Sequence, residues 1–412
     1  MNISKIDKTK LSYDPSVAHT DEQLKVTPFH PRSSKFNVRE AWTAWNGYKF
    51  ADYYYDAQYE YFCVRNSCGT YDISPMQKYF ITGKDAMAMI NRMVTRDVSK
   101  LNIGRVTYLC WCTDDGRMID DGTVFRIAED TYMVTSGSPC IAWFKRSAFG
   151  YDDVTVTDMS DEIAALAFQG PTTCEVLKKM GLEGIETLKP FGITHFSFGD
   201  SGKELMVSRT GFTGDLGYEL WIAPELAIEL WDELYYAGED YQIHPYGEVA
   251  LNMARLEAGF IMPGTEFNEA LKTIHYKHDQ SPFELGLGWL VDFKKPHFNG
   301  RNALLKEKEQ GSPYTLVKLD IDGNKDATES YLYSEKKCKT HIGYITSTMW
   351  SPIVKANIAL AMIETKYLKG EIWAEIYYSK EVRPQQKIVE CKIVKKPFWS
   401  PARTRATPPE RY

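Results

Sequence analysis

The sequence predicts an α+β fold that ends in a separate β-barrel or jelly-roll domain. Three observations predict it: amphipathic helical stripes between residues 83 and 238, short strands joined by hairpin turns over 104–139, and a strand-rich pattern after Gly311. A chain of 412 residues exceeds one ordinary core, so two or three domains are expected.

The elements follow in chain order. From Thr27 to Tyr61 aromatics are dense: Trp42, Trp45, Tyr48, Phe50, Tyr53, Tyr54, Tyr55 and Tyr59. Most read as packing residues; the alternative is a cage for a quaternary or sulfonium cation, which aromatic faces attract. Gly83-Lys84-Asp85 precedes a helical stripe of Ala86, Ile90 and Met93. Asp115-Gly116 is a hairpin turn between Val106–Leu109 and Met118-Ile119, and a second hairpin turns at Glu129-Asp130. Helices are expected from Pro171 to about Gly181 and from Pro224 through Leu226, Leu230 and Leu234 to Gly238. Strands are expected at Leu316–Ile321, Ile342–Thr346, Ile358–Ile363, Glu371–Tyr377 and Ile388–Val394, and the Pro- and Arg-rich end from Ser400 is expected on a surface.

Composition narrows the function. Apolar residues are 43% and charged residues 25%, the mix of packed soluble domains, and no run approaches the roughly 20 apolar residues of a membrane span. The stretch from Met1 to about Lys25 is polar, without the apolar core of a secretory leader, so a cytoplasmic location is expected. A net charge of −6 argues against a nucleic-acid partner and for small-molecule chemistry. The eight cysteines are scattered and read as reduced thiols. Cys110 and Cys112 would share a strand face, but no second pair or nearby histidine completes a metal set; His275 and His278 lack the helix motif of a zinc site and read as a solvated loop.

Phosphate loops, metalloprotease helices and nucleophile elbows are absent. What remains is Asp120-Asp121, adjacent acids inside the apolar run Met118–Phe125. On a strand their side chains point to opposite faces, so one faces inward or into a cleft; the alternative is a turn or salt-bridge acid. A second acid, Glu219, follows the glycine-punctuated segment Ser208-Arg209-Thr210-Gly211-Phe212-Thr213-Gly214-Asp215-Leu216-Gly217. An inward carboxylate there suits a planar NH-rich ring, because it can accept two parallel N–H bonds.

Taken together, these segments resemble the glycine cleavage T-protein family, in order along nearly the whole chain. The matching stretches are Gly69–Met76, Arg96–Leu101, Gly116–Asp121, Phe168–Pro171, Ser208–Glu219, Arg255–Ala258, Pro282–Leu287 and Lys396–Phe398. The resemblance implies three domains in a cloverleaf around a central folate site: residues 1–75 with 160–255, residues 76–159 with 256–305, and a barrel over 306–412. It implies tetrahydrofolate as cofactor and one-carbon transfer as activity. Asp121, with Asp120 beside it, would stand by the reactive folate nitrogens and Glu219 would grip the pterin. Tyr108, Met76, Phe212 and Ser136 would line the site, and Arg403 and Arg405 would meet the folate's glutamate tail.

Departures from the family pattern cluster on the donor side: Pro75 replaces a histidine, Phe212 a tyrosine, Ser136 an asparagine and Leu251 an arginine. Losing these polar groups changes what the pocket can hydrogen-bond. The expected reaction is therefore methyl or methylene transfer from a small methylated amine or sulfonium donor such as dimethylsulfoniopropionate, glycine betaine or dimethylglycine. The alternatives are an ordinary glycine cleavage component served by a lipoyl carrier protein, capture of the product of a separate amine oxidase, and a non-catalytic folate-binding module.

Overall fold

The computed structural model describes residues 24–199, 202–273 and 279–408, so His275 and His278 and most of the polar start lie outside the described residues. Two sheets and a barrel organise the chain. A six-stranded sheet runs Ile193–Phe198, Lys203–Ser208, Gly217–Ile222, Ala164–Gln169, Gly69–Asp72 and His244–Pro245. A five-stranded sheet runs Arg105–Cys112, Met118–Ala128, Thr131–Ser136, Gln77–Thr82 and Thr155–Asp158. The first sheet thus draws its strands from both sides of the second in sequence.

Both hairpins form where expected, with Gly116 at φ 74 in the first turn. Ala86–Met93 is a helix that buries Ala86, Met89, Ile90 and Met93 against the five-stranded sheet. The helix expected from Pro171 begins at Thr173, because Thr172 takes the N-cap position, and ends at Lys179. Pro224–Leu226 is a 3₁₀ turn that leads into helix Ala227–Ala237.

After Tyr314 the strands close into a six-stranded barrel, Tyr314–Ile321 pairing with both Ala356–Glu364 and Arg383–Val394. Its interior is apolar, including Leu319, Ile321, Leu332, Ile345, Ala361 and Ile363. The sequence reading missed Tyr331–Tyr333, a strand too short to show a period, and the hairpin formed by Trp42–Trp45 and Tyr48–Ala51. A bulge opposite Trp111/Cys112 sets Cys112 against Met118 by skipping Ile119 on the partner strand, and the Cys110 and Cys112 thiols lie side by side, as expected. Seven of the eight thiols are buried.

One buried ion network joins these parts. Arg65, on helix Ala57–Asn66, donates to Glu257 at 2.7 Å and to Asp215 at 3.3 Å. Arg403, from the C-terminal tail, grips the same Asp215 at 2.6 and 2.8 Å. The Trp399 ring centre is 5.9 Å from each of the two guanidinium groups. Removing one member of a buried pair strands its partner, which costs on the order of 3–5 kcal/mol. Asp215→Ala is therefore expected to lower the unfolding free energy, measured by chemical denaturation, by an amount in that range. Arg403→Ala, whose side chain is 32% exposed, is expected to cost about 1–2 kcal/mol.

Candidate active site

The two sheets face each other across a shared core. Val106, Phe125 and Met133 come from one, and Tyr71, Ala165, Ala167, Met206 and Trp221 from the other. Phe125 meets Trp221 edge-on at 5.4 Å. Strand alternation puts Asp121 and Thr123 on the face of Phe125, and Glu219 on the face of Trp221. The two acids therefore look into the same interior space.

Asp121 is half-buried and accepts from the Tyr108 hydroxyl at 2.5 Å. Asp120 points to the other face, fully buried, where it accepts from the Asp121 N–H at 2.8 Å and the Ser138 N–H at 3.3 Å. Burial pushes both carboxyls up. Asp120 rises furthest, well above the carboxylate range, because the charge of Asp121 adds to desolvation; Asp121 is held back by the Tyr108 hydroxyl. Asp121 is thus the acid that ionises first, and Asp120 positions its backbone. Gly122 follows them because a Cβ there would lie 2.0 Å from the Thr135 carbonyl oxygen.

Glu219 stands in a cross-strand row, Tyr71–Ala167–Glu219–Ser208. Its Oε2 accepts from Ser208 at 3.2 Å and from Thr210. No cation pairs with it among the described residues, and burial lifts its carboxyl to about 7 against the pull of the two hydroxyls. In the next row, Gly69–Gln169–Gly217, the Gln169 amide fills the face. A Cβ at Gly211 or Gly217 would come within 2.0 or 2.2 Å of Gln169 Oε1, so a larger residue at either position would push the Gln169 amide off the Thr210 and Tyr218 carbonyls it bonds.

Tyr108, Met76 and Phe212 join this space: Met76 and Phe212 pack on the shared core, and Phe212 stacks on Phe260 at 5.5 Å. Ser136 does not. It lies on the face opposite Asp121, and its Oγ donates to the Ser138 carbonyl at 2.7 Å; Thr135, bonded to Thr123 at 2.6 Å, takes the inner face instead. Arg403 is also corrected, since its guanidinium is bound to Asp215 and to the Arg65 carbonyl, while Arg405 is exposed. The sequence reading missed Lys78, whose buried Nζ donates to Ser74 and Met76 carbonyls at 2.7 and 2.9 Å and so pins the Pro75 loop. It also missed Asn46, which bridges Pro75 and Gly137 carbonyls at 2.9 and 2.8 Å. Neither residue sits in a pattern that would mark it. Among the described residues no group of His, Cys, Asp and Glu could hold a metal ion, and no helix is long and apolar enough to cross a membrane.

Comparison with known proteins places this arrangement. Residues 35–295 match the GCVT N-terminal domain, and residues 315–400 match the glycine cleavage T-protein C-terminal barrel domain. The chain belongs to the glycine cleavage T-protein family. It is therefore a tetrahydrofolate-dependent transferase of one-carbon groups. An aminomethyltransferase of Caldanaerobacter subterraneus is 35% identical over 92% of this chain and 96% of its own. One of Bacillus velezensis is 33% identical over 91% and 98%. A trimethylamine-oxide aldolase of Ruegeria pomeroyi is 34% identical over 96% of this chain but only 49% of its own length. The crystal structure of aminomethyltransferase T from Bartonella henselae shares the fold, with a TM-score of 0.79 at 22% identity over 92% of this chain and 98% of that one.

The residues fit the T-protein family's folate. Glu219 Oε1 has no partner among the described residues, and a carboxylate with one committed and one open oxygen suits the N–H edge of a pterin. Glu219 is accordingly a burden on the ligand-free protein. With its folded value near 7 and an unfolded value of about 4.3, its contribution to stability is fully present below about pH 4 and is lost as pH rises through about 7. Ligand-free Glu219→Gln is expected to melt with wild type near pH 4 and above it near pH 8. Its affinity for tetrahydrofolate should fall roughly tenfold or more, because a charged acceptor is lost. Melting scans across that range and fluorescence titration check both.

Proposed function

We propose that the chain transfers a one-carbon unit to tetrahydrofolate from a small methylated amine. The observation that carries this reading is the apolar, aromatic wall beside the acids. Trp45, Phe50, Tyr71, Met76, Phe212 and Leu251 all pack on the core that the two sheets share. The hairpin over 42–51 covers this wall, fixed by Trp45 Nε1 and Asn46 Nδ2 to the Gly137 carbonyl at 3.1 and 2.8 Å. Aromatic faces favour methylated cations over strongly hydrated groups. The likeness to the trimethylamine-oxide aldolase, of which this chain matches about half, supports a donor of that chemistry supplied or prepared by a separate protein.

In this reading Glu219 orients the ring system of the folate. Asp121, held by Tyr108, stabilises positive charge as carbon moves between nitrogens, and Asp120 fixes the strand on which Asp121 stands. A sulfonium donor suits the same wall. The second reading, an ordinary glycine cleavage component that accepts an aminomethyl group from a lipoyl carrier, is favoured by the aminomethyltransferases that match over nearly their whole length.

Purified protein incubated with tetrahydrofolate and, separately, dimethylglycine, sarcosine, trimethylamine oxide, glycine betaine, dimethylsulfoniopropionate and an aminomethylated lipoyl carrier distinguishes these by mass spectrometry of the folate products. With a methylated amine the expected product is 5-methyl-tetrahydrofolate, the methyl moving intact, or, with trimethylamine oxide, 5,10-methylene-tetrahydrofolate, the cleaved N–O bond taking up the two electrons and leaving as water. Product with the carrier alone would establish the second reading. With the productive donor, Asp121→Asn should lower kcat by roughly 10²–10³ while leaving tetrahydrofolate affinity within about threefold. Equal loss of affinity and kcat would assign Asp121 to binding instead.

A further inference from the structure

A third carboxylate stands on the donor side, and neither Asp121 nor Glu219 accounts for it. Glu248 occupies the first turn of helix Glu248–Ala258, half-buried. Its Oε2 accepts from the Tyr71 hydroxyl at 2.5 Å and its Oε1 from Asn252 Nδ2 at 3.0 Å. Both donors are neutral, and among the described residues no lysine, arginine or histidine forms an ion pair with Glu248. Leu251, on the same face one turn along the helix, is buried and brings no charge. A partly desolvated carboxylate without a counter-cation is costly unless something positive completes it.

The surroundings define what that would be. Tyr71 packs against Phe50 at 5.0 Å, Trp45 at 6.5 Å and Tyr246, stacked, at 5.3 Å. Tyr246 is 1% exposed and its hydroxyl has no hydrogen-bond partner, a second polar group left open in the same cluster. Tyr71 belongs to the row that holds Glu219, with only the small Ala167 between them. Two strand spacings, about 10 Å, separate Tyr71 from Glu219 in that row, so a cation held beside Tyr71 would stand close to a ring gripped at Glu219. Water and inorganic cations gain little from aromatic walls; a methylated ammonium gains from both wall and carboxylate.

We propose that Glu248, with the aromatic wall of Tyr71 and Trp45, forms the subsite for the positively charged nitrogen of the one-carbon donor. This rests on the methylated-amine reading above and names the residues that recognise that donor. The subsite selects cationic over neutral molecules of the same shape.

Tetramethylammonium, a substrate-independent probe, tests it by calorimetry on the full chain, with tert-butanol as neutral control. Wild type is expected to bind tetramethylammonium and to bind tert-butanol at least tenfold more weakly. Glu248→Gln preserves shape and removes the charge, its amide oxygen accepting from Asn252 and its NH2 donating to the Tyr71 oxygen; it should weaken tetramethylammonium about tenfold to a hundredfold and leave tetrahydrofolate affinity unchanged. Tyr71→Phe, which frees the carboxylate but keeps the ring, should give a smaller loss. With a productive donor the Glu248→Gln effect should fall on KM, not kcat. No binding to wild type, or equal binding to Glu248→Gln, would overturn the subsite. Binding that depends on Glu248, in a protein that turns over only the lipoyl carrier, would support the subsite and remove the methylated-amine reading instead.

Discussion

The Arg65 guanidinium, enclosed between Glu257 and Asp215, is the contact on which the arrangement of the site depends. Arg65 also donates to the carbonyls of Thr213 and Ala254, so one side chain fixes the loop before Glu219 and the helix that carries Glu248. Glu257 in turn accepts from Tyr61 and from Ser351 of the barrel, each at 2.5 Å. The tail closes the set: Arg403 reaches Asp215, Thr404 reaches the Gly214 carbonyl at 3.0 Å, and Arg209 holds the Ala406 carbonyl. Each charge is expensive to bury, but each is met by an opposite charge or several hydrogen bonds, which is the condition under which a buried network fixes geometry.

The acids of the candidate site break that rule. Asp121 and Glu219 are met only by hydroxyls, with no cation, and burial lifts both. Local instability at these two points is tolerable because the ion network and the packed rows around Gln169 hold the backbone on either side. Paired acids build the frame and unpaired acids await a ligand; the distinction lies in partners, not in residue type. Asp120 and Asp121 show it within one dipeptide, since strand alternation sends one into two backbone N–H groups and the other toward Tyr108.

This explains what the sequence could reveal. The two hairpins, the helical stripe at Ala86–Met93 and most barrel strands were legible because periodicity and turn residues are local signals. Asp120-Asp121 and Glu219 stood out as acids in apolar strands, yet only the cross-strand register decided which aspartate faces inward. Ser136 was misplaced by the same register, one residue from Thr135. Arg403 was read as a ligand contact because an arginine-rich tail says nothing about its partner 188 residues earlier. Lys78 and Asn46 bond backbone carbonyls brought together only by the fold, so no pattern could have marked them. The departures at Phe212 and Leu251, by contrast, were visible as a loss of polar groups, and the fold sets both on the apolar wall.

Helix Glu248–Ala258 gathers these threads in eleven residues. Its C-terminal half is frame: Glu257 pairs with Arg65, and Arg255 with the buried Glu266 at 2.8 Å. Its N-terminal half faces the donor wall through Glu248 and Leu251. Glu248 stands in the first turn, where the unpaired N–H groups and positive end of a helix favour an acidic side chain. Asn252 joins the halves, donating to Glu248 and accepting from Arg255 at 3.1 Å. Substitution in the first turns can alter what the wall accepts while Glu257 keeps Arg65, and it reaches Arg255 only through Asn252, whereas substitution in the last turn would loosen the loop before Glu219. In the proposed reading, donor choice and folate grip are carried by opposite ends of one element, which lets the first vary while the second is kept.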